Sequence, residues 1–105
     1  MQVLEVAFYV RKALWSFVPL NAVLKEMEET WPVGKGPAES GWSEHRYIIS
    51  QHGGDEVGLS FVLTREDPLA EQDAAAILRQ LEELVKKQYP AGVRVWRATQ
   101  SLPAS

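Results

Sequence analysis

The stretch EHRYIISQHGGDEVGLSFVLTR, Glu44 to Arg65, holds two β-like runs on either side of Gly53-Gly54. Glycine reaches positive φ without steric cost, so a glycine pair between two such runs reads as a hairpin turn. The register of this hairpin decides which side chains face the core. A two-residue turn at Gly53-Gly54 pairs Arg46 with Phe61 and Ser50 with Val57, which puts polar groups beside the best apolar run. A three-residue connection through Gly53, Gly54 and Asp55 aligns Tyr47 with Phe61 and Ile49 with Leu59. A slip of one residue exchanges the two faces, so the apolar pattern selects the second register.

Working outward from the hairpin, two further stretches read as strands, Val3 to Lys12 and Val93 to Thr99. Together with Glu44 to Gln51 and Glu56 to Arg65 they make four. Two segments carry helical periodicity. From Pro19 to Trp31, the residues Leu20, Val23, Leu24, Met27 and Trp31 form one apolar stripe, and Pro32 forces a stop. In the second, Asp67-Pro68 reads as an N-cap followed by a first-turn proline. Ala70, Ala74, Ile77, Leu78, Leu81, Leu84 and Val85 then make the apolar face. Glu82 to Lys86 and Glu83 to Lys87 are favourable four-apart pairs, and Tyr89-Pro90-Ala91-Gly92 ends the helix.

The order β-α-β-β-α-β is the split β-α-β, or ferredoxin-like, arrangement: an α+β domain with a four-stranded antiparallel sheet and both helices on one face. Strands 1 and 3 are expected in the centre. A chain of 105 residues is one domain by size. The domain is expected over residues 1–99, with 100–105 (QSLPAS) as a flexible tail.

Alternation sorts the strand residues. The core face takes Leu4, Val6, Phe8, Val10, Tyr47, Ile49, Val57, Leu59, Phe61, Leu63, Val93 and Val95. The outer face takes Val3, Glu5, Ala7, Tyr9 and Arg11 from the first strand, and Arg46, Ile48 and Ser50 from the second. Gly58, Ser60, Val62 and Thr64 follow from the third, and Arg94, Trp96 and Ala98 from the fourth. Much of this outer face is small and moderately apolar, fringed by arginines and two large aromatics. Many of the acids, among them Glu26, Glu28, Glu29, Glu71 and Asp73, fall on the helices, so the open sheet is expected to be locally positive.

Composition bounds the function. Hydrophobic residues make up 46% of the chain and charged residues 24%, which suits a folded globular domain and excludes disorder. There is no cysteine, which removes disulfides and thiolate metal sites and fits a cytoplasmic protein. No apolar run reaches the roughly 18 residues a membrane helix needs. The N-terminus opens directly into a β-like pattern without a basic n-region, so no signal peptide is expected. The formal charge of −3 argues against wholesale nucleic-acid binding.

Catalytic and metal motifs do not emerge. His45 and His52 lie an odd number of residues apart, hence on opposite faces of a regular strand, and no metal site is expected from them. The loop from Pro32 to Trp42 contains Gly34-Lys35-Gly36 but lacks phosphate-loop spacing, and it follows a helix and precedes a strand. It reads as a long connection from which Lys35 and Trp42 could reach a partner. Trp15 and Phe17, after strand 1, are expected to cap the core. No cofactor is implied.

The expected function is therefore a non-catalytic protein-interaction module, a homodimer or part of a larger assembly. Contact is expected on the open sheet face through Tyr9, Arg11, Arg46, Ile48, Val62, Arg94 and Trp96, since aromatics and arginines are enriched at interface hot spots. Single-stranded nucleic acid on the same face is one alternative. Phe8-Tyr9-Val10-Arg11 and Gly58-Leu59-Ser60-Phe61-Val62 have some likeness to the strand signatures of RNA-recognition-motif domains. Their stacking platform needs outward aromatics on the third strand, and alternation puts Phe61 inward. A small-ligand-binding domain or an enzyme of unidentified chemistry is the other.

Overall fold

The structure, a computed structural model, describes residues 1–14, 16–34, 41–51, 54–89 and 93–101. Four strands form one antiparallel sheet: β1 (Gln2–Arg11), β2 (Trp42–Gln51), β3 (Glu56–Arg65) and β4 (Val93–Ser101), with α1 (Phe17–Thr30) after β1 and α2 (Glu71–Gln88) after β3. A short 3-10 turn, Lys12–Leu14, follows β1. The strand order is β2-β3-β1-β4, so β1 and β3 are central and β2 and β4 are the edges.

The hairpin register is the one the apolar pattern selects. Tyr47 stands opposite Phe61 and Ile49 opposite Leu59. Gly54 turns the chain with φ of 80°. Leu4, Val6, Phe8 and Val10 of β1 join Leu59, Phe61 and Leu63 of β3, and both helices bury their stripes against them: Leu20, Val23 and Met27 from α1, Ala74, Leu81, Leu84 and Val85 from α2. Phe8 and Phe61 meet edge to face at the centre, with ring centroids 6.3 Å apart.

Helix starts depart from expectation. Ser16 caps α1 by accepting a hydrogen bond from the Val18 amide, so the helix begins two residues before Pro19. Phe17 is its first residue and is exposed, so it does not cap the core. Trp15 lies outside the described residues. α2 starts at Glu71, after Ala70, and not at Asp67-Pro68. One long-range and one local hydrogen bond hold the segment before it. The buried Gln2 side chain accepts a hydrogen bond from the Leu69 amide at 2.8 Å, and the Arg65 Nε donates to the Asp67 carbonyl. The Leu69 amide and the Asp67 carbonyl are held by these partners, and the helix begins where the Ala70 carbonyl accepts from the Asp73 and Ala74 amides.

The strand edges depart as well, through two β-bulges. In β2, Trp42 pairs with Arg65 and Glu44 with Thr64, leaving Ser43 as the extra residue. In β4, Val95 pairs with Phe8 and Arg97 with Ala7, leaving Trp96 extra. Beyond that point Ala98 pairs with Val6 and Gln100 with Leu4, so Ala98 takes a core-side register position and not the outer one expected of it. β1 is long enough to pair on to Ser101, so the sheet continues past the tail boundary expected at Thr99.

Candidate functional site

β2 is anchored at one end and bare at the other. The bulge at Ser43 shifts the alternation by one, which brings Trp42 onto the core side of the sheet. There it is buried and meets Trp31, at the end of α1, with ring centroids 6.5 Å apart. The Arg65 guanidinium lies over the Trp42 ring at 4.7 Å, a cation–π contact. Gly41, with φ of 83°, leaves room for that guanidinium, since a Cβ here would stand 2.5 Å from an Arg65 nitrogen. Trp42 is thus not a loop residue poised for a partner but part of the core. Lys35, the other loop candidate, lies outside the described residues.

His45 continues the anchored end. It stands opposite Leu63 on the helix side, and its Nδ1 is 3.6 Å from a Glu28 carboxylate oxygen of α1. Its Nε2 is buried with no hydrogen-bond partner. Burial pushes the imidazole pKa below its usual value, against weaker raising effects from the Trp31 backbone and Glu28.

Past His45 the cover ends. Tyr47, Ile48 and Ile49 are 44%, 45% and 41% exposed. Tyr47 and Ile49 lie on the helix side, where core positions were expected, yet they are not enclosed. The reason is the position of β2: as an edge strand it packs mainly on β3, and α2 packs on β1 and β4. The Glu28 and Trp31 contacts place the C-terminal half of α1 against the first half of β2. Ile48 lies opposite Ser60 on the outer face. One edge strand therefore shows apolar groups on both faces in three consecutive residues.

The rest of the outer face is less available than its composition suggests. Val62 is only 2% exposed, so it is withdrawn as a contact residue. It lies between Glu5 of β1 and Arg46 of β2, whose longer side chains flank it. Ala7, Gly58, Ser60 and Thr64 are also buried. Tyr9 is half-buried opposite Gly58, and Arg11 is exposed opposite Glu56. Arg46 is exposed and forms a 2.9 Å ion pair with Glu44. These acids offset the positive character expected of this face. Phe8 and Phe61 are fully buried in the core, so neither offers a base-stacking surface.

On β4, Arg94 stands opposite Tyr9. The alternation that assigned Trp96 to the outer face breaks at Trp96 itself, and the side chains of Arg94 and Trp96 lie outside the described part of the structure. Among the described residues, no group of three or more His, Asp or Glu side chains could hold a metal ion. No described helix is long and apolar enough to cross a membrane. The sequence signal for the bare strand was present in Tyr47-Ile48-Ile49, three apolar residues in a row where a covered edge would alternate.

No family model matches the sequence, and no curated protein matches it. Among solved structures, a dimeric ferredoxin-like protein from an uncultured marine organism is similar over 100% of this chain and 96% of that chain, at 14% sequence identity and a TM-score of 0.38.

Proposed function

We propose that this protein is a non-catalytic interaction module of ferredoxin-like fold that associates with itself through the β2 side of its sheet. The observation that carries the reading is the exposure of Tyr47, Ile48 and Ile49 on both faces of an edge strand. Exposed edge strands with apolar side chains are templates for pairing, and folded proteins ordinarily blunt them. Arg46 and Ile48, both exposed, belong to this surface, and Tyr9 and Arg11 stand farther along the same outer face. The ion pair between Arg46 and Glu44 suits the rim of a protein contact better than a phosphate site, because the cation is already compensated.

Light scattering on protein separated by size, over a wide concentration range, tests the reading. The expected result is a dimer whose fraction grows with concentration. A monomer that persists at the highest concentration overturns it.

A further inference from the structure

We infer that the partner on β2 is a second copy of the same strand, paired antiparallel edge to edge about a two-fold axis at Ile48, so that two four-stranded sheets join into one. This rests on the self-association proposed above and specifies its geometry.

The backbone supplies the first argument. Among the described residues, β2 has β3 on one side and on the other only the isolated bridge from Val33 to Trp42, with the Gly34 amide donating to the Trp42 carbonyl, so past that first residue its outward N–H and C=O groups form an open row. Among the described residues, the devices that protect this edge lie in the first half of the strand: the Val33–Trp42 bridge, the bulge at Ser43 and the charged pair Glu44 and Arg46. From Tyr47 to Ser50 there is no charge, proline, glycine or bulge.

Symmetry supplies the second. A two-fold that joins antiparallel edges stands perpendicular to the sheet and keeps each face with itself, so the copies can slide only in two-residue changes of pairing sum. With the axis at Ile48, Ile48 faces Ile48 on the outer side. Tyr47 faces Ile49 twice on the helix side, an aromatic and β-branched pairing of the kind that stabilises sheets. Arg46 faces Ser50. Every one of the three exposed apolar residues meets another, and no charge faces a like charge. Moving the axis to Arg46 sets two guanidinium groups opposite each other. Moving it to Tyr47 sets Ile48 against Arg46. Moving it to Ile49 sets Ile48 against Ser50 and Tyr47 against Gln51. Apolar matching and charge therefore select the same register.

The helix layers remain compatible. Both copies keep their helices on one side of the joined sheet, and Glu28 of α1 and Trp31 at its end meet β2 at His45 and Trp42, away from the axis. Phe17 and Val18, exposed at the start of α1, lie toward the sheet end where Ile49 stands, because α1 runs opposite to β2.

The absence of cysteine makes the test direct, since any single introduced thiol is unique. Residues directly opposite across two strands have Cβ atoms about 4.5–5.5 Å apart, within reach of a disulfide or a short thiol-to-thiol reagent. Ile48→Cys is expected to give covalent dimers rapidly, while Ser43→Cys and Tyr9→Cys do so at least about tenfold more slowly, being many residues from the axis. In parallel, Ile48→Lys places two like charges on the axis and is expected to weaken dimerisation by about tenfold or more. Its circular dichroism should match wild type, and so should its melting curve at concentrations low enough that both proteins are monomeric, because the side chain is exposed. A wild-type dimer that cross-links through Tyr9→Cys and not through Ile48→Cys overturns the edge geometry and leaves self-association standing. A wild-type monomer at all concentrations overturns both.

Discussion

The two edges of this sheet are built differently. β4 carries its bulge in mid-strand, at Trp96, with Arg94 and Arg97 on either side. β2 carries its bulge at one end, at Ser43, and the half of the strand beyond Arg46 is regular and uncharged, with Tyr47, Ile48 and Ile49 in a row. A bulge twists an edge away from further pairing only where it sits. The same device thus interrupts one edge at its middle and leaves half of the other open. On β2 the bulge has a second effect, turning Trp42 inward to close the core at that end. The contrast teaches that exposure on β2 is local: one end is held by an edge-to-face tryptophan contact, and Tyr47 to Ile49 are exposed.

Trp42→Ala is the largest way to break this contrast. Loss of a buried tryptophan is expected to cost about 3–5 kcal/mol, read as a fall in the urea midpoint. Ile48→Ala, six residues along the same strand, should change monomer stability by no more than about 0.5 kcal/mol. Equal costs at the two positions would mean that the ends of β2 are not distinct. Next comes Ile48→Lys, whose effect should fall on association and not on folding, by about 1.4 kcal/mol for each tenfold in the dimer constant.

A pH series separates the two sides of the molecule. His45 has a lowered pKa in the folded protein, so above its unfolded value of 6.5 it is neutral in both states and stability is complete. As pH falls below 6.5 the unfolded chain takes up a proton that the folded chain resists, and stability declines until the folded pKa is passed. His45→Gln should flatten that acid slope in denaturation midpoints, and an unchanged slope would remove His45 as its source. Tyr89, just after α2, behaves in the opposite range. Its buried hydroxyl has no hydrogen-bond partner, and burial pushes its pKa from 10.0 up to about 12. Between those values the unfolded chain ionises and the folded chain does not, so stability falls as pH rises. Tyr89→Phe is the smallest change: it should remove this alkaline loss and leave neutral stability unaltered or raised by up to about 1 kcal/mol, since an unpaired buried hydroxyl is taken away.

The parts that could be read in the chain were those with a period. Alternation over β1 and β3 named the core residues Leu4, Val6, Phe8, Leu59, Phe61 and Leu63, and the stripe Leu20, Val23, Met27 named the buried face of α1. The Gly53-Gly54 signal together with that alternation selected the observed register of β2 on β3. The expected pair Glu82 and Lys86 forms at 2.9 Å, whereas Lys87 reaches Glu26 of α1, a partner the local pattern does not contain. Bulges escaped because one inserted residue leaves the composition of a strand unchanged and shows itself only against the partner strand. Ala98 and the outer-face assignment of Trp96 are affected in this way, whereas Trp42 differs because β2 begins two residues before the expected Glu44. Val62 was read as available because alternation reports which face a residue takes, not how far its neighbours overhang it.

Local patterning alone determined the element order, the hairpin register and the central core, because a repeat of two or 3.6 residues commits a segment to one buried face whatever surrounds it. Tertiary structure alone decided where α2 begins, which end of β2 is covered and which stays bare. Those outcomes depend on groups distant in sequence, Gln2 on Leu69, Trp31 on Trp42 and Glu28 on His45, and on the sheet placing β2 at its edge, where Tyr47 to Ile49 stay exposed past these α1 contacts.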